Sequence, residues 1–239
     1  MRLCIDIGNS RIKWGWSDGP GVIEAAGSCE YASEMFAVLE DHAAPTEILL
    51  ADVRGGQPAK DILAHAQKRT WPEPVAVATR ASFGQLNVGY RQPELLGVDR
   101  FLCLVAVLGD SPAVVVSAGT ALTIDGISAE GEHKGGVIMP GQRAALDALT
   151  RAAPVLHGRA DLSHAVLNPW GCDTSEALGN GVLYAWVGGA ERVISDMSQQ
   201  LGVDCRVVLT GGDGLSLKKW LKIEARYDEQ LVLRGMTHL

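Results

Sequence analysis

No stretch of the 239-residue chain approaches the roughly 20 consecutive apolar residues that a membrane-spanning helix needs, so no membrane association is expected. The opening MRLCIDIGNS has no apolar core of signal-peptide length before its first Asp, and the expected location is cytoplasmic. The cysteines, Cys4, Cys29, Cys103, Cys172 and Cys205, are odd in number, scattered and never in a CxxC pair. That excludes a disulfide framework and leaves them as reduced packing residues. His42, His65, His133, His157, His164 and His238 never stand at metal-ligand spacing, so no structural metal is expected. A net charge of -7 with dispersed Lys and Arg leaves no basic stripe to displace counterions, and nucleic acid is not an expected partner. GxxxxGK[ST] is missing, as is a GxGxxG opening a helix, which removes the P-loop and Rossmann routes to a nucleotide.

What is present is a chain with 47% apolar residues, long enough for one large domain or two ordinary ones. Residues 2–16 place apolar side chains on either side of Gly8-Asn9, with Ile12, Trp14 and Trp16 alternating, as two strands joined by a tight turn would. Residues 31–44 and 58–70 have helical spacing around the strand-like EILLADV. After a polar, glycine-containing loop over 82–97, residues 99–108 read as an apolar helix, broken by Asp110-Ser111-Pro112. A boundary placed there gives two domains, 1–112 and 113–239. The second half restarts with AVVVSAGTALTIDGI, a strand, glycine turn and strand, followed by the paired glycines of EGEHKGGVIMPG. Ile5 to Ser10 and Val116 to Ala121 share a pattern offset by 111 residues, which suggests a duplicated unit. A long helix is expected from 174 to 200, opened by a capping box of Asp173 and Glu176 and ended by Gly202. Its stripe of Ala177, Gly181, Ala185 and Gly189 admits a close neighbour, within the chain or across a dimer.

Glycine turns follow strands at DIGNSRIK (6–13), SAGTALT (117–123) and LTGGDG (209–214). A phosphate needs backbone N–H groups aimed at it without intervening side chains, and such turns supply them; Lys13 adds a positive charge. Each alone also fits a plain hairpin turn; together they point to a nucleotide cradle. In NVGYRQPELLGVDRFLCL (87–104), Tyr90 lies in a loop and Asp99-Arg100 at a helix start. For transfer to an alcohol, an Asp orients the hydroxyl and accepts its proton late, while an Arg clamps a carboxylate bidentately. The plainer alternative makes Asp99 an N-cap and Arg100 a solvated first-turn residue.

These residues resemble the type III pantothenate kinases, a family that includes proteins called Bvg accessory factor, within the acetate and sugar kinase/Hsp70/actin superfamily. The resemblance is carried by Asp6-Ile7-Gly8-Asn9-Ser10 with Lys13, by the GxDR motif Gly97-Val98-Asp99-Arg100, and by Gly119-Thr120-Ala121. It extends to Gly135-Gly136-Val137-Ile138-Met139-Pro140-Gly141, and to Thr174 with Ala177 and Gly181. It implies an α/β fold of two ribonuclease-H-like domains with a nucleotide cleft between them. It also implies ATP-dependent phosphorylation of pantothenate to 4'-phosphopantothenate, the first step of coenzyme A biosynthesis. ATP would be held by Asp6, Ile7, Gly8, Asn9, Ser10, Arg11, Ile12, Lys13 and Thr120, with Mg²⁺ reached from Asp6 through water. Pantothenate would be held by Tyr90, Gly97, Val98, Asp99, Arg100 and Thr174, with Asp99 the proton acceptor, in a homodimer. The chain departs from the family at Ser117, where an Asp usually binds K⁺ or NH₄⁺. A neutral hydroxyl is a poorer cation ligand, so a weakened requirement, or a site rebuilt from other oxygens, is expected. Competing expectations are a sugar or acetate kinase of the superfamily and a catalytically silent regulatory protein of the same fold.

Overall fold

A strand buried on both faces reads as a near-continuous apolar run, and Arg2–Ile7 (β1) is one: from Leu3 to Ile7 every residue is buried. It lies centrally in a five-stranded sheet with Ile12–Ser17 (β2), Ala25–Cys29 (β3), Glu47–Asp52 (β4) and Val75–Ala76 (β5), in the order β3-β2-β1-β4-β5. The pairs β1–β2 and β2–β3 are antiparallel; β1–β4 and β4–β5 are parallel. Leu3, Ile5 and Ile7 pack with Trp14 and Trp16 against Met35 and Leu39 of Ala32–Leu39 (α1) and Ile62 and Ala66 of Gln57–Lys68 (α2). By the two-residue period of a strand, Cys4 and Asp6 point to the other face. A ribbon of Ser82–Phe83 (β6) and Leu86–Asn87 (β7) precedes the helix Val98–Val107 (α3), which contacts β4.

The computed structural model of the chain describes residues 1–156, 158, 162–202 and 204–239. His157, one of the histidines without ligand spacing, lies outside them. The structure divides into two compact units, the first comprising 1–110, 129–135 and 230–239 and the second 111–128 and 136–229.

The second sheet contains Ala113–Ala118 (β8), Ala121–Ile127 (β9), His133–Pro140 (β10), whose first three residues belong to the first unit, Arg206–Thr210 (β11) and Arg226–Tyr227 (β12). Its order is β10-β9-β8-β11-β12. With β8–β9 antiparallel and β8–β11 and β11–β12 parallel, this repeats the first sheet's arrangement, and β8 stands where β1 does. The short pattern match at an offset of 111 residues thus marks equivalent strands. Gln142–Ala152 (α4) follows β10, and the long helix Thr174–Leu201 (α5) lays Leu183, Trp186, Val187, Ala190 and Ile194 on Val114, Val116, Leu122 and Ile124. Gly214–Trp220 (α6) adds the buried Leu217. Asp173 caps α5 by accepting the Glu176 N–H at 2.9 Å, but the reciprocal bond of a capping box is displaced: the Glu176 carboxylate accepts the Cys172 N–H at 2.8 Å. Gly202, at φ +110°, closes the helix. Ala177, Gly181 and Ala185 of the small-residue stripe are exposed, whereas Gly189 packs on Met139, whose methyl would lie 2.4 Å from an added Cβ.

Leu231–Met236 (α7) returns to the first unit, which the expected division at 112/113 does not contain. It packs along α3 and touches β1 and β2; its backbone comes so close that a Cβ on Gly235 would sit 2.0 Å from the Leu102 carbonyl oxygen. The apolar residues of α7 cover the face of β1 that α1 and α2 leave open. Among the described residues no helix is long and apolar enough to cross a membrane.

Candidate active site

Asp6 is the next-to-last residue of β1, paired with Lys13 of β2, while its neighbour Ile7 pairs with Asp52 of β4. The Asp6 side chain is 7% exposed, and its Oδ1 is buried with no hydrogen-bond partner among the described residues. Burial, reinforced by Asp99, pushes its carboxyl up to about 7; Lys13 pulls the other way and Asp52 adds to the rise. The start of α3 and the end of β1, over ninety residues apart in sequence, thus bring two carboxylates within electrostatic range of each other. The loop after β1 closes by the Gly8 N–H donating to the Arg11 carbonyl at 3.0 Å, and Asn9, Ser10 and Arg11 are exposed. The Arg11 guanidinium reaches Ser28, donating from Nε to its hydroxyl at 2.7 Å. Ile12 is buried in the core at the start of β2.

Gly97 is the N-cap of α3 and makes no side-chain cap bond, so Asp99 is a first-turn residue rather than the N-cap of the plainer reading. A Cβ on Gly97 would lie 2.6 Å from Asp99 Oδ1, the movable end of that side chain, so a larger residue there would press on the carboxylate. The same oxygen accepts the Arg100 N–H at 2.8 Å, at the helix end whose dipole favours negative charge. Arg100 is 6% exposed, not solvated; its Nη1 donates to the Tyr90 hydroxyl at 2.6 Å. Val98 is buried beside them, packing α3 against its unit.

In the second unit the C-terminal end of β8 carries Gly119 and the exposed Thr120. The Gly119 N–H donates to the Ala121 carbonyl at 3.0 Å and the Gly141 N–H to the Thr120 carbonyl at 3.1 Å. A Cβ on Gly141 would come within 2.1 Å of the Gly119 carbonyl oxygen, and one on Gly211, at φ +89°, within 2.2 Å of that of Ala118. The turns at 119, 141 and 211 therefore crowd around one strand end. Ser117 pairs in register with Thr123 and Thr210, so hydroxyls surround it where the sequence reading looked for a carboxylate; the buried Asp125 lies two positions along β9 on the same face. Thr174 is exposed at the first turn of α5.

Among the described residues no group of three or more His, Cys, Asp or Glu side chains forms a metal cage. Mg²⁺ needs none, since it is usually held by one or two carboxylates, water and substrate phosphates. The orphaned, buried Asp6 oxygen with Asp99 and Asp52 nearby fits that mode. A groove of about 530 Å³ along α1 and α2 is lined by none of these residues. Sequence reasoning missed Asp52 and the buried His133 beside Tyr90; the strand-end position of Asp52 was the one available signal.

Comparison with known proteins gives the same direction. The family model for type III pantothenate kinase matches residues 2–196. A protein named type III pantothenate kinase from Dechloromonas aromatica is 34% identical over 100% of this chain and 98% of its own length. A crystal structure described as a Baf family transcriptional activator from Campylobacter jejuni superposes with a TM-score of 0.60 at 24% identity, covering 99% of this chain and 96% of its own. The activator of 2-hydroxyisocaproyl-CoA dehydratase from Clostridium difficile, with bound ADPNP, gives 0.52 at 9% identity, covering 99% and 91%. The fold is that of the actin-like kinases and ATPases.

Proposed function

The chain belongs to the type III pantothenate kinases, and from that premise we propose that it transfers the γ-phosphoryl group of ATP to the hydroxyl of pantothenate, giving 4'-phosphopantothenate for coenzyme A synthesis, with Asp99 as the proton acceptor. The observation that supports the assignment of roles is the buried Asp6 carboxylate at the end of β1, whose Oδ1 has no hydrogen-bond partner among the described residues, with Asp99 in the first turn of α3 within its electrostatic range. Residues 6–13 and Thr120 bind the phosphates through backbone N–H groups and Lys13. Asp6 holds Mg²⁺ through water, and the ion, when bound, offsets charge on the phosphate oxygens. Asp99, kept in place by the bond it accepts from the Arg100 N–H at its own helix start, aims the attacking hydroxyl and takes its proton as the bond to phosphorus forms. Arg100, with Tyr90 and Thr174, binds the carboxylate end of pantothenate, a pairing suited to a planar guanidinium.

Three finer readings complete the proposal. The active unit is a homodimer, supported by the exposed Ala177, Gly181 and Ala185 on α5. It works in the cytoplasm, where ATP is available. Its dependence on K⁺ or NH₄⁺ is weakened, because Ser117 and its neighbours Thr123 and Thr210 offer hydroxyls rather than a carboxylate. An ADP-release assay with ATP, Mg²⁺ and pantothenate, sugars or acetate, run with and without K⁺, tests the whole. Turnover is expected with pantothenate alone and to persist largely without K⁺. Turnover with a sugar or acetate instead would replace the substrate, no turnover with any of them would favour the silent regulatory reading, and complete dependence on K⁺ would overturn the cation reading.

A further inference from the structure

We propose that His133 is a positioning residue for pantothenate: it fixes the Tyr90 ring, and with it the Arg100 guanidinium, in the attitude that receives the substrate carboxylate. The inference rests on the pantothenate reading above and extends it to a residue that makes no contact with the reacting atoms.

His133 opens β10 and is 2% exposed. Its ring stacks on Tyr90 with centroids 5.9 Å apart and planes 21° apart. Its Nδ1 accepts the Gly89 N–H at 3.4 Å. The approach is close along the backbone too, for a Cβ on Gly89 would lie 1.9 Å from the His133 carbonyl oxygen. Neighbouring bonds strap the same two segments together: the Asn87 N–H donates to the Gly131 carbonyl at 2.9 Å and the Asn87 amide to Glu132 at 2.8 Å.

Tyr90 is thereby held at two points. His133 sets the plane of the ring, while Arg100 donates to the hydroxyl oxygen at 2.6 Å with its guanidinium carbon 5.4 Å from the ring centroid. An oxygen that accepts from Arg100 keeps its own proton to give, so Tyr90 and Arg100 present neighbouring donors to an anionic oxygen. If the Tyr90 ring were free to turn, the bond from Arg100 to its hydroxyl would be lost and with it the pair's shared direction. An aliphatic residue at 133 fills space but supplies neither the stacking face nor the nitrogen acceptor.

The test measures KM for pantothenate, KM for ATP and kcat in His133→Leu, His133→Gln and His133→Phe, together with melting temperature. Loss of the ring is expected to raise the pantothenate KM about tenfold, the scale of one aromatic pair plus one hydrogen bond. The ATP KM should stay within about twofold, and phenylalanine, which keeps the stacking face, should recover most of the loss. A pantothenate KM unchanged in the ring-less variants, a parallel rise in the ATP KM, or a phenylalanine variant no better than leucine overturns the inference while leaving the substrate reading intact. Wild-type protein that never turns over pantothenate removes both.

Discussion

Asp99 and Asp6 carry opposite demands on charge, and single substitutions separate them. Asp99→Asn keeps the shape but not the proton acceptor, so kcat should fall by roughly 10²- to 10⁴-fold with the KM for ATP nearly unchanged; steady-state kinetics showing a loss below about tenfold would remove the assignment. Asp6 bears on stability. Its carboxyl titrates at about 7 in the folded protein against 3.8 ordinarily, so the folded state binds the proton more tightly than the unfolded chain. Stability of the metal-free protein should therefore decline as pH rises from about 4 to 7 and level off above, by up to roughly 4 kcal/mol. Asp6→Asn should abolish that decline and be more stable than wild type at pH 8 while losing activity. Urea denaturation at pH 5 and pH 8 decides it, and parallel pH trends in the two proteins would contradict the burial argument. The GxDR motif was legible as a chain of neighbours. The crowding of position 97 by the Asp99 carboxylate was not, because the two meet only once the helix start is formed.

At the scale of elements, local patterns read well where one face of a strand or helix decides the matter. The hairpin of β1 and β2, the helix α3 and the span of α5 all follow from runs or spacings of apolar residues. Contacts that cross long separations did not show: α7 on α3, and the stretch 129–135 on the loop before α3, depend on which surfaces meet rather than on period. Gly235 is the sharpest of these. Gly235→Ala would drive a methyl into the Leu102 carbonyl, and a backbone oxygen inside α3 cannot swing aside. The expected cost is about 1–3 kcal/mol of stability, seen as a lower urea midpoint, since overpacking of a close contact is felt in full. An alanine variant as stable as wild type would mean that α7 does not seat on α3 as described.

For the whole molecule, the repeat of one sheet order around β1 and β8 was visible in the sequence as six matching positions, which is little evidence until topology supplies the rest. Partnering is different again, since exposed small residues on α5 say where a neighbour can approach without saying that it does. If the proposed dimer uses that stripe, Gly181→Arg should shift the protein to monomer mass in sedimentation velocity, while wild type runs at twice it; a monomeric wild type at micromolar concentration would remove the dimer.

The return of α7 also imposes an order in time. Residues 111–229 must all be synthesised before Leu231 to Met236 can reach α3, and at about 5–20 residues per second that takes on the order of 6–24 s. Throughout that interval the nascent first unit presents the apolar flank of α3 and one face of β1 without their cover, long after its local helices and hairpins can form. The chain is therefore most exposed to aggregation and to chaperone capture while its second half is still on the ribosome.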